Sequence, residues 1–483
     1  VASPHRKIRV KLITIPWELE VPTLSLACLA AVTPSDRVDL AIVDVLRERL
    51  VEDEPVDAVG ITASTPRIKA AYRLADAYRA RGVKVILGGH HVTAMPREAL
   101  EHADAVVTGE GEDAWARIVD GLLTSPATVG GIYKGGMPDL ADLPPPDIRR
   151  MRLERYGTFY YPLMATRGCP EQCTFCFSRR MSPAFRAYPI GRVLEQVRAR
   201  PRWVKAAYFV DDNLAGDPDY ARELFKALAR EPDRLPFGMQ VRSELADDGE
   251  MLRLARQAGC ALISSGYESV NQDTLDSVRK RASAVDYRRR IAAIHAEGMI
   301  ASGNFMFGFD DDGPEIFDDT LAFLDETSML HASFTVEIPF PGTPAWRHYR
   351  KEGRLLSEDY DDYLGKDHVI VHPRRMSPEQ LRQGIRRVAL AFYGPRRRLR
   401  LALAAARNRR LLTELQGARI PGLLALNAFQ MWQWHYRMSR PGRWLYRTLL
   451  PAARLRYPSE WTRRSNFSGG AAACSRARRR TDC

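Results

Sequence analysis

No stretch of the 483 residues runs to about 18 uninterrupted apolar positions, so the sequence contains no obvious bilayer-spanning helix. Cysteine is scarce and uneven: Cys28, Cys169, Cys173, Cys176, Cys260, Cys474 and Cys483 make up the whole set. That spread excludes the even, repeating disulfide framework of small secreted domains. The opening residues, VASPHRKIRVKLITI, lack the apolar core and small-residue cleavage site of a secretion signal. Free thiols without a signal or a span make the cytoplasm the expected location. No G-x-G-x-x-G follows the first apolar run, which weakens a dinucleotide reading. Positive charge is the one excess, at +13. Much of it sits late, in YGPRRRLRLALAAARNRR and CSRARRRTDC, where solvated faces or a loose tail account for it. Nucleic acid is therefore not the expected partner. The remainder, 45% hydrophobic and 27% charged, is ordinary globular composition, enough for two or three cores.

Short apolar runs recur in the first part: IRVKLITI, VDLAIVDV, VDAVGITA, VKVILGG and ADAVVTG. Helical patterns such as PRIKAAYRLADAYRARG lie between the later ones, with Pro66 near the start and Gly82 just past the end. This alternation predicts right-handed parallel crossovers and a doubly wound sheet over residues 1–134. Ligands of such sheets sit beyond the strand carboxyl ends, which here carry TASTP, GGHHVT and TGEGE. Gly88, Gly89, Gly109 and Gly111 would let backbone approach a ligand closely, or serve as ordinary tight turns. A Pro-rich linker is expected over 135–157, where PPP favours a stiff, extended chain.

From there six strand candidates follow: YPLMATR, VKAAYFV, PFGMQVR, ALISSG, ASGNFMFGF and ASFTVEI. Helical stretches separate most of them, so residues 158–345 read as a partial (β/α)6 barrel with its chemistry at the strand C-termini. A helical region over 346–460, including LLALNAFQMWQWHYRM, and a disordered tail over 461–483 complete the expectation.

The segment ATRGCPEQCTFCFSRRM, just after the first barrel strand, places Cys169, Cys173 and Cys176 in a C-x3-C-x2-C pattern. Zinc would want a fourth ligand and a second C-x2-C or a histidine pair, and neither lies nearby in the sequence. Three thiolates suit a [4Fe–4S] cluster with one iron left open. The spacing, with Phe175 before the last cysteine and Arg167–Gly168 before the first, resembles the radical S-adenosylmethionine (SAM) superfamily. YFVDDN, SGYES, GNFMFGF and IPFPGTPAW resemble further segments of that family, in order along the barrel. The resemblance implies SAM contacts from Phe175, Asp211, Asp212, Glu268, Ser269, Gly303 and Gly308. DAVGITASTP, VILGGHHVTAMPREAL and DAVVTGEGEDAW resemble cobalamin-binding domains fused to such enzymes. Gly88, Gly89, His91, Gly109 and Gly111 are then the implied cobalamin contacts, although the D-x-H-x-x-G motif of other cobalamin proteins is absent.

The resemblance implies reductive cleavage of SAM to a 5'-deoxyadenosyl radical, with an electron donor such as flavodoxin or ferredoxin. Cobalamin-dependent C-methylation of a small secondary metabolite is the expected outcome. Diol dehydration or deoxygenation, epimerisation and cyclisation are the cobalamin-free alternatives. A tRNA-modifying enzyme or a non-catalytic iron–sulfur or corrinoid sensor stands further off. Glu337, Asp310 and Asp311 are candidate acid–base groups at the rim, although FDDDG reads more readily as a solvated loop.

Overall fold

The computed structural model describes residues 7–16, 22–156, 160–394 and 397. Its first sheet is wholly parallel and has six strands: β1 (Ile8–Ile15), β2 (Val38–Asp44), β3 (Ala58–Ala63), β4 (Lys84–Gly88), β5 (Ala105–Thr108) and β6 (Gly131–Lys134). They run in the order β2-β1-β3-β4-β5-β6, so the winding reverses between β1 and β3. That switch point is where doubly wound sheets bind ligands. Side chains alternate between two cores: Val10 and Leu12 of β1 face one, Ile13 and Ile15 the other. Helix Ile68–Ala80 covers the second face with Ile68, Ala71, Leu74, Ala75 and Tyr78. Trp115 of helix Glu112–Thr124 fills the first, its indole donating to Thr33 Oγ1 at 2.9 Å.

Five strands are predicted here and six form. The sixth, GIYK, begins at a glycine and alternates half-buried with exposed residues, so it carries no apolar run to register. The Pro-rich segment also departs from an extended spacer. Leu140, Leu143, Ile148 and Met151 are buried in a core shared with both sheets. Arg150 Nη1 donates to the Leu40 carbonyl at 2.9 Å, and the Asp147 amide to that of Ala27 at 3.0 Å. The prolines stiffen this stretch while its apolar side chains pin it down.

The second half contains β7 (Tyr160–Leu163), β8 (Thr166–Arg167), β9 (Arg186–Ala187), β10 (Ala206–Phe209), β11 (Phe237–Gln240), β12 (Cys260–Glu268), β13 (Ile300–Phe307) and β14 (His331–Val336). Six of these form a parallel sheet in the order β14-β13-β12-β11-β10-β7, while β8 and β9 make a small antiparallel ribbon. Helix Pro378–Phe392 begins at a capping box between Ser377 and Gln380. It packs on helix Ile316–Glu326, where Gly384 lets the Phe317 ring approach. Ahead of it, residues 359 and 360 reach back to helices of the first domain: Asp359 pairs with Lys69 at 2.7 Å, and Tyr360 donates to Glu98 at 3.1 Å. Most of the predicted helical region, LLALNAFQMWQWHYRM included, and the predicted tail lie outside the described residues. Among the described residues no helix is long and apolar enough to cross a membrane.

Candidate active site

The cysteine loop hangs from a two-strand neck. β8 and β9 pair Thr166 with Ala187 and Arg167 with Arg186, so residues 168–185 leave and return at one place. Gly168 has a φ of 80°, and a Cβ there would come within 2.5 Å of the Ala184 carbonyl. A side chain at Gly168 would force the neck open. Inside the loop the Cys176 amide donates to the Cys173 carbonyl at 3.2 Å. The Thr174 amide bonds the Val278 carbonyl (3.0 Å), and the Thr174 carbonyl accepts from Ala345 (3.1 Å). The loop is thereby held by the segments that follow β12 and β14.

Cys169 and Cys173 are half-buried and Cys176 is exposed on its surface. Burial raises the Cys169 and Cys173 thiols above their ordinary value, and Cys173 also feels the neighbouring Cys169. Stable thiolates here need a bound cation. Among the described residues these sulfurs do not form a set whose ligand atoms all lie within 4.8 Å. A single zinc, with sulfurs about 2.3 Å from its centre, would need such a set, whereas a multi-iron cluster spreads its thiolates wider. Cys260 is buried at the far, N-terminal end of β12 and bonds the Leu262 carbonyl at 3.6 Å. The donor set fits the cluster.

Around the loop the acidic residues divide by task. Asp211 is buried and accepts from the amides of Ala165 and Thr166 and from Thr166 Oγ1. Burial pushes its pKa up to about 7 against the pull of those bonds. It fastens the exit of β7 to the end of β10. Asp212 is exposed and accepts from Ser178 Oγ, two residues past Cys176. Glu268 ends β12 with a φ of 62° and a buried carboxylate 3.1 Å from Lys280 Nζ. Lys280 is itself buried, and its charge offsets part of the rise that burial gives the Cys173 thiol. Sequence reasoning missed this lysine, because VRKRAS reads as exposed charge. Ser269 is buried, 3.4 Å from Asp312 Oδ1, and Phe175 stacks obliquely on Phe309 at 5.8 Å. Beside Gly303 a Cβ would meet Phe305 and Met329, and beside Gly308 it would meet Leu381. Protein already fills the space those two glycines leave.

The three acid–base candidates lie elsewhere. Asp310 is held by Arg354 and His348, whose hydrogen bonds outweigh burial and bring its pKa below the usual carboxylate value. The Asp311 carbonyl accepts from Asn271 and Arg375. Glu337 is 2% exposed and accepts from Tyr349 at 2.5 Å; burial takes its pKa to about 8.

Between the two sheets opens a cavity of about 590 Å³. The C-terminal ends of β1, β3, β4 and β5 line it from the first sheet; Met164, Thr166, Arg167, Gly168, Asp211 and Asp212 line it from the second. Gly88, Gly89, Gly109 and Gly111 all stand in its wall, which turns apolar in depth at Leu12, Leu26, Ile86 and Trp115. Gly89 has a φ of 103°, and a Cβ on it would strike Thr62 Oγ1 at 2.5 Å. None of Glu337, Asp310 and Asp311 is among the lining residues. Neither is His91, which is buried against Thr65 Oγ1 and Glu98 Oε1, both at 3.2 Å. His90 faces the cavity instead. The two open a short helix, where adjacent side chains diverge by about 100°. The His90 ring lies 5.4 Å from that of Phe177.

Comparison with known proteins follows this division. The family model of the B12 binding domain matches residues 10–119, and that of the radical SAM superfamily matches residues 163–324. Bacteriochlorophyllide d C-12(1)-methyltransferase of Chlorobaculum tepidum is 30% identical over 349 residues, which cover 70% of this chain and 75% of that one. The solved structure of the radical SAM methyltransferase TsrM from Kitasatospora setae, with cobalamin and a [4Fe–4S] cluster, shares the fold at a TM-score of 0.60 and 14% identity. It covers 72% of this chain and 75% of its own. The cobalamin-dependent SAM radical enzyme OxsB gives 0.63 and 13% over 92% of this chain and 81% of its own. The chain belongs to the radical SAM superfamily, in the group whose barrel follows a B12 binding domain.

Proposed function

We propose that the protein is a cobalamin-dependent radical SAM methylase that acts at an unactivated carbon of a small organic substrate. The observation that carries this reading is one cavity bounded both by the strand ends of the B12 binding domain and by the neck of the cysteine loop. When bound, the cluster supplies the electron that cleaves SAM, and the corrin carries the methyl group. Cys169, Cys173 and Cys176 would hold three irons and leave the fourth to SAM. Lys280 offers a cation beside Cys173 for a carboxylate, and Glu268 an acceptor for an ammonium or hydroxyl group. Gly88, Gly89, Gly109 and Gly111 bring bare backbone to the cavity wall, which a flat macrocycle can approach closely, and His90 presents its ring there.

Methyl transfer to a carbon radical needs no proton donor at that carbon. The absence of Asp310, Asp311 and Glu337 from the cavity lining, with the Asp310 and Glu337 carboxylates already bonded elsewhere, agrees with this. The mainly apolar wall keeps water from a reactive intermediate. Reducing equivalents would come from a flavodoxin or ferredoxin. Protein produced in the presence of hydroxocobalamin should purify with close to one corrinoid per chain and, once reconstituted anaerobically, about four irons. SAM cleavage by protein that takes up no corrinoid would overturn the methylation reading and favour a cobalamin-free reaction such as deoxygenation of a diol.

A further inference from the structure

The neck of the cysteine loop sets two like charges face to face. β8 and β9 place Arg167 directly opposite Arg186, an arrangement that is destabilising across an antiparallel pair. Their side chains are only 9% and 19% exposed, so solvent and salt screen the repulsion poorly. The neutralising charge comes from the other domain. Glu110, between Gly109 and Gly111 in the loop after β5, turns one oxygen to each arginine. Its Oε2 accepts from Arg167 Nη1 at 2.9 Å, and its Oε1 accepts from Arg186 Nη2. Ser182, inside the cysteine loop, donates to the same Oε1 at 2.7 Å. Arg167 Nη2 is taken by Glu112 at 2.6 Å and by the Tyr188 hydroxyl at 2.7 Å. Two cations and two carboxylates thus balance within one buried cluster.

Both carboxylates also stand in the wall of the cavity. The loop that carries them is fixed from behind, the Gly109 amide donating to Thr93 Oγ1 at 3.0 Å. A single side chain therefore closes the cysteine loop and helps shape the face offered to the corrin.

We propose that Glu110 is a positioning residue that ties the neck of the cluster loop to the corrin-facing loop, so that each site holds the other in register. The corrin's identity rests on the function proposed above; the closure of the neck does not. Loss of the Glu110 charge leaves Arg167 with Glu112 but strands Arg186. Loss of Arg186 as well restores the balance, which a merely space-filling role for Glu110 would not reproduce.

The test is the rate at which an iron chelator bleaches the brown absorbance of anaerobically reconstituted protein, with and without hydroxocobalamin. Glu110→Gln should bleach about tenfold faster than wild type, because breaking one side of a buried ion pair leaves the other side uncompensated. Glu110→Gln combined with Arg186→Gln should return to within about threefold of wild type, the non-additivity expected of direct partners. Hydroxocobalamin should slow bleaching in the wild type and the double variant, and leave the single variant unprotected. Should Glu110→Gln fail to fold, Ser182→Ala removes a bond to the same oxygen without stranding a charge, and should bleach measurably faster than wild type. Wild-type rates in Glu110→Gln, or in Ser182→Ala where that variant decides, would overturn the proposal, as would a double variant bleaching as fast as the single one. Equal protection by hydroxocobalamin in Glu110→Gln and wild type would overturn the coupling between the sites. A wild-type protein that binds no corrinoid would refute the functional reading, and the bleaching rates without hydroxocobalamin would still decide the closure.

Discussion

Glu337 keeps its proton because the folded chain gives its charge almost no water. Burial moves its pKa from 4.5 to about 8, despite the hydrogen bond from Tyr349. Between those values the folded state retains a proton that the unfolded state has lost, so stability falls as pH rises through the window. The slope from this one group is at most about 1.4 kcal/mol per pH unit. Glu337→Gln keeps the acceptor for Tyr349 and removes the titration. Its melting temperature should therefore drop less than that of wild type between pH 5.5 and 8.5. A part of the drop should remain, since Asp211 and Asp312 are raised in the same direction, to about 7 and about 6. An unchanged pH dependence would show that Glu337 ionises in the fold. Lys280 is the second residue to test. Lys280→Met should weaken SAM binding about tenfold or more, the scale of one lost charge-assisted hydrogen bond, while cluster absorbance survives. Equilibrium dialysis with labelled SAM reads this, and undiminished affinity would reduce Lys280 to a partner of Glu268. The cysteine triplet is legible from sequence because its members lie within one turn of chain. Lys280 and Glu268 are 12 residues apart, and Arg186 and Glu110 are 76 apart, so their pairing depends on a fold that no local pattern encodes.

At the scale of elements, strands within an apolar run announce themselves and strands without one do not. The five predicted strands of the first sheet and the six of the second appear where apolar periodicity puts them, whereas β6 alternates half-buried with exposed residues and β8 and β9 are two residues long each. The neck built from β8 and β9 nevertheless decides where the cysteines stand. His90 and His91 show the same limit: the GGHH turn is visible, but which ring faces the cavity depends on how the following helix leaves it. In helix Pro378–Phe392, Gly384 is a packing residue. A Cβ there would lie 2.1 Å from a ring carbon of Phe317, itself 3% exposed and unable to retreat. Alanine would gain about 1 kcal/mol in helix propensity but cost about 1–3 kcal/mol in overpacking. Packing should win, and Gly384→Ala should lower stability by about 1 kcal/mol in chemical denaturation. In the first sheet Gly89→Leu meets both a strained φ and Thr62. It should lose corrinoid on purification while retaining iron; equal loss of both would mean that the substitution unfolds the chain.

Across the whole molecule, a continuous core runs from Val10 and Leu12 of the first sheet through Leu140 and Ile148 to the second sheet and Tyr393. Large relative movement of the two sheets would expose apolar surface at about 25 cal/mol per Å². The strand ends of the B12 binding domain and the neck of the cysteine loop are therefore held against one cavity, the arrangement on which the proposed methyl transfer depends. The most direct test is to incubate the reconstituted protein anaerobically with SAM, a strong reductant and hydroxocobalamin, and to quantify the SAM-derived products by mass spectrometry. Formation of both 5'-deoxyadenosine and S-adenosylhomocysteine, the latter dependent on hydroxocobalamin, is the expected result. Formation of 5'-deoxyadenosine alone, at a rate indifferent to hydroxocobalamin, would contradict it.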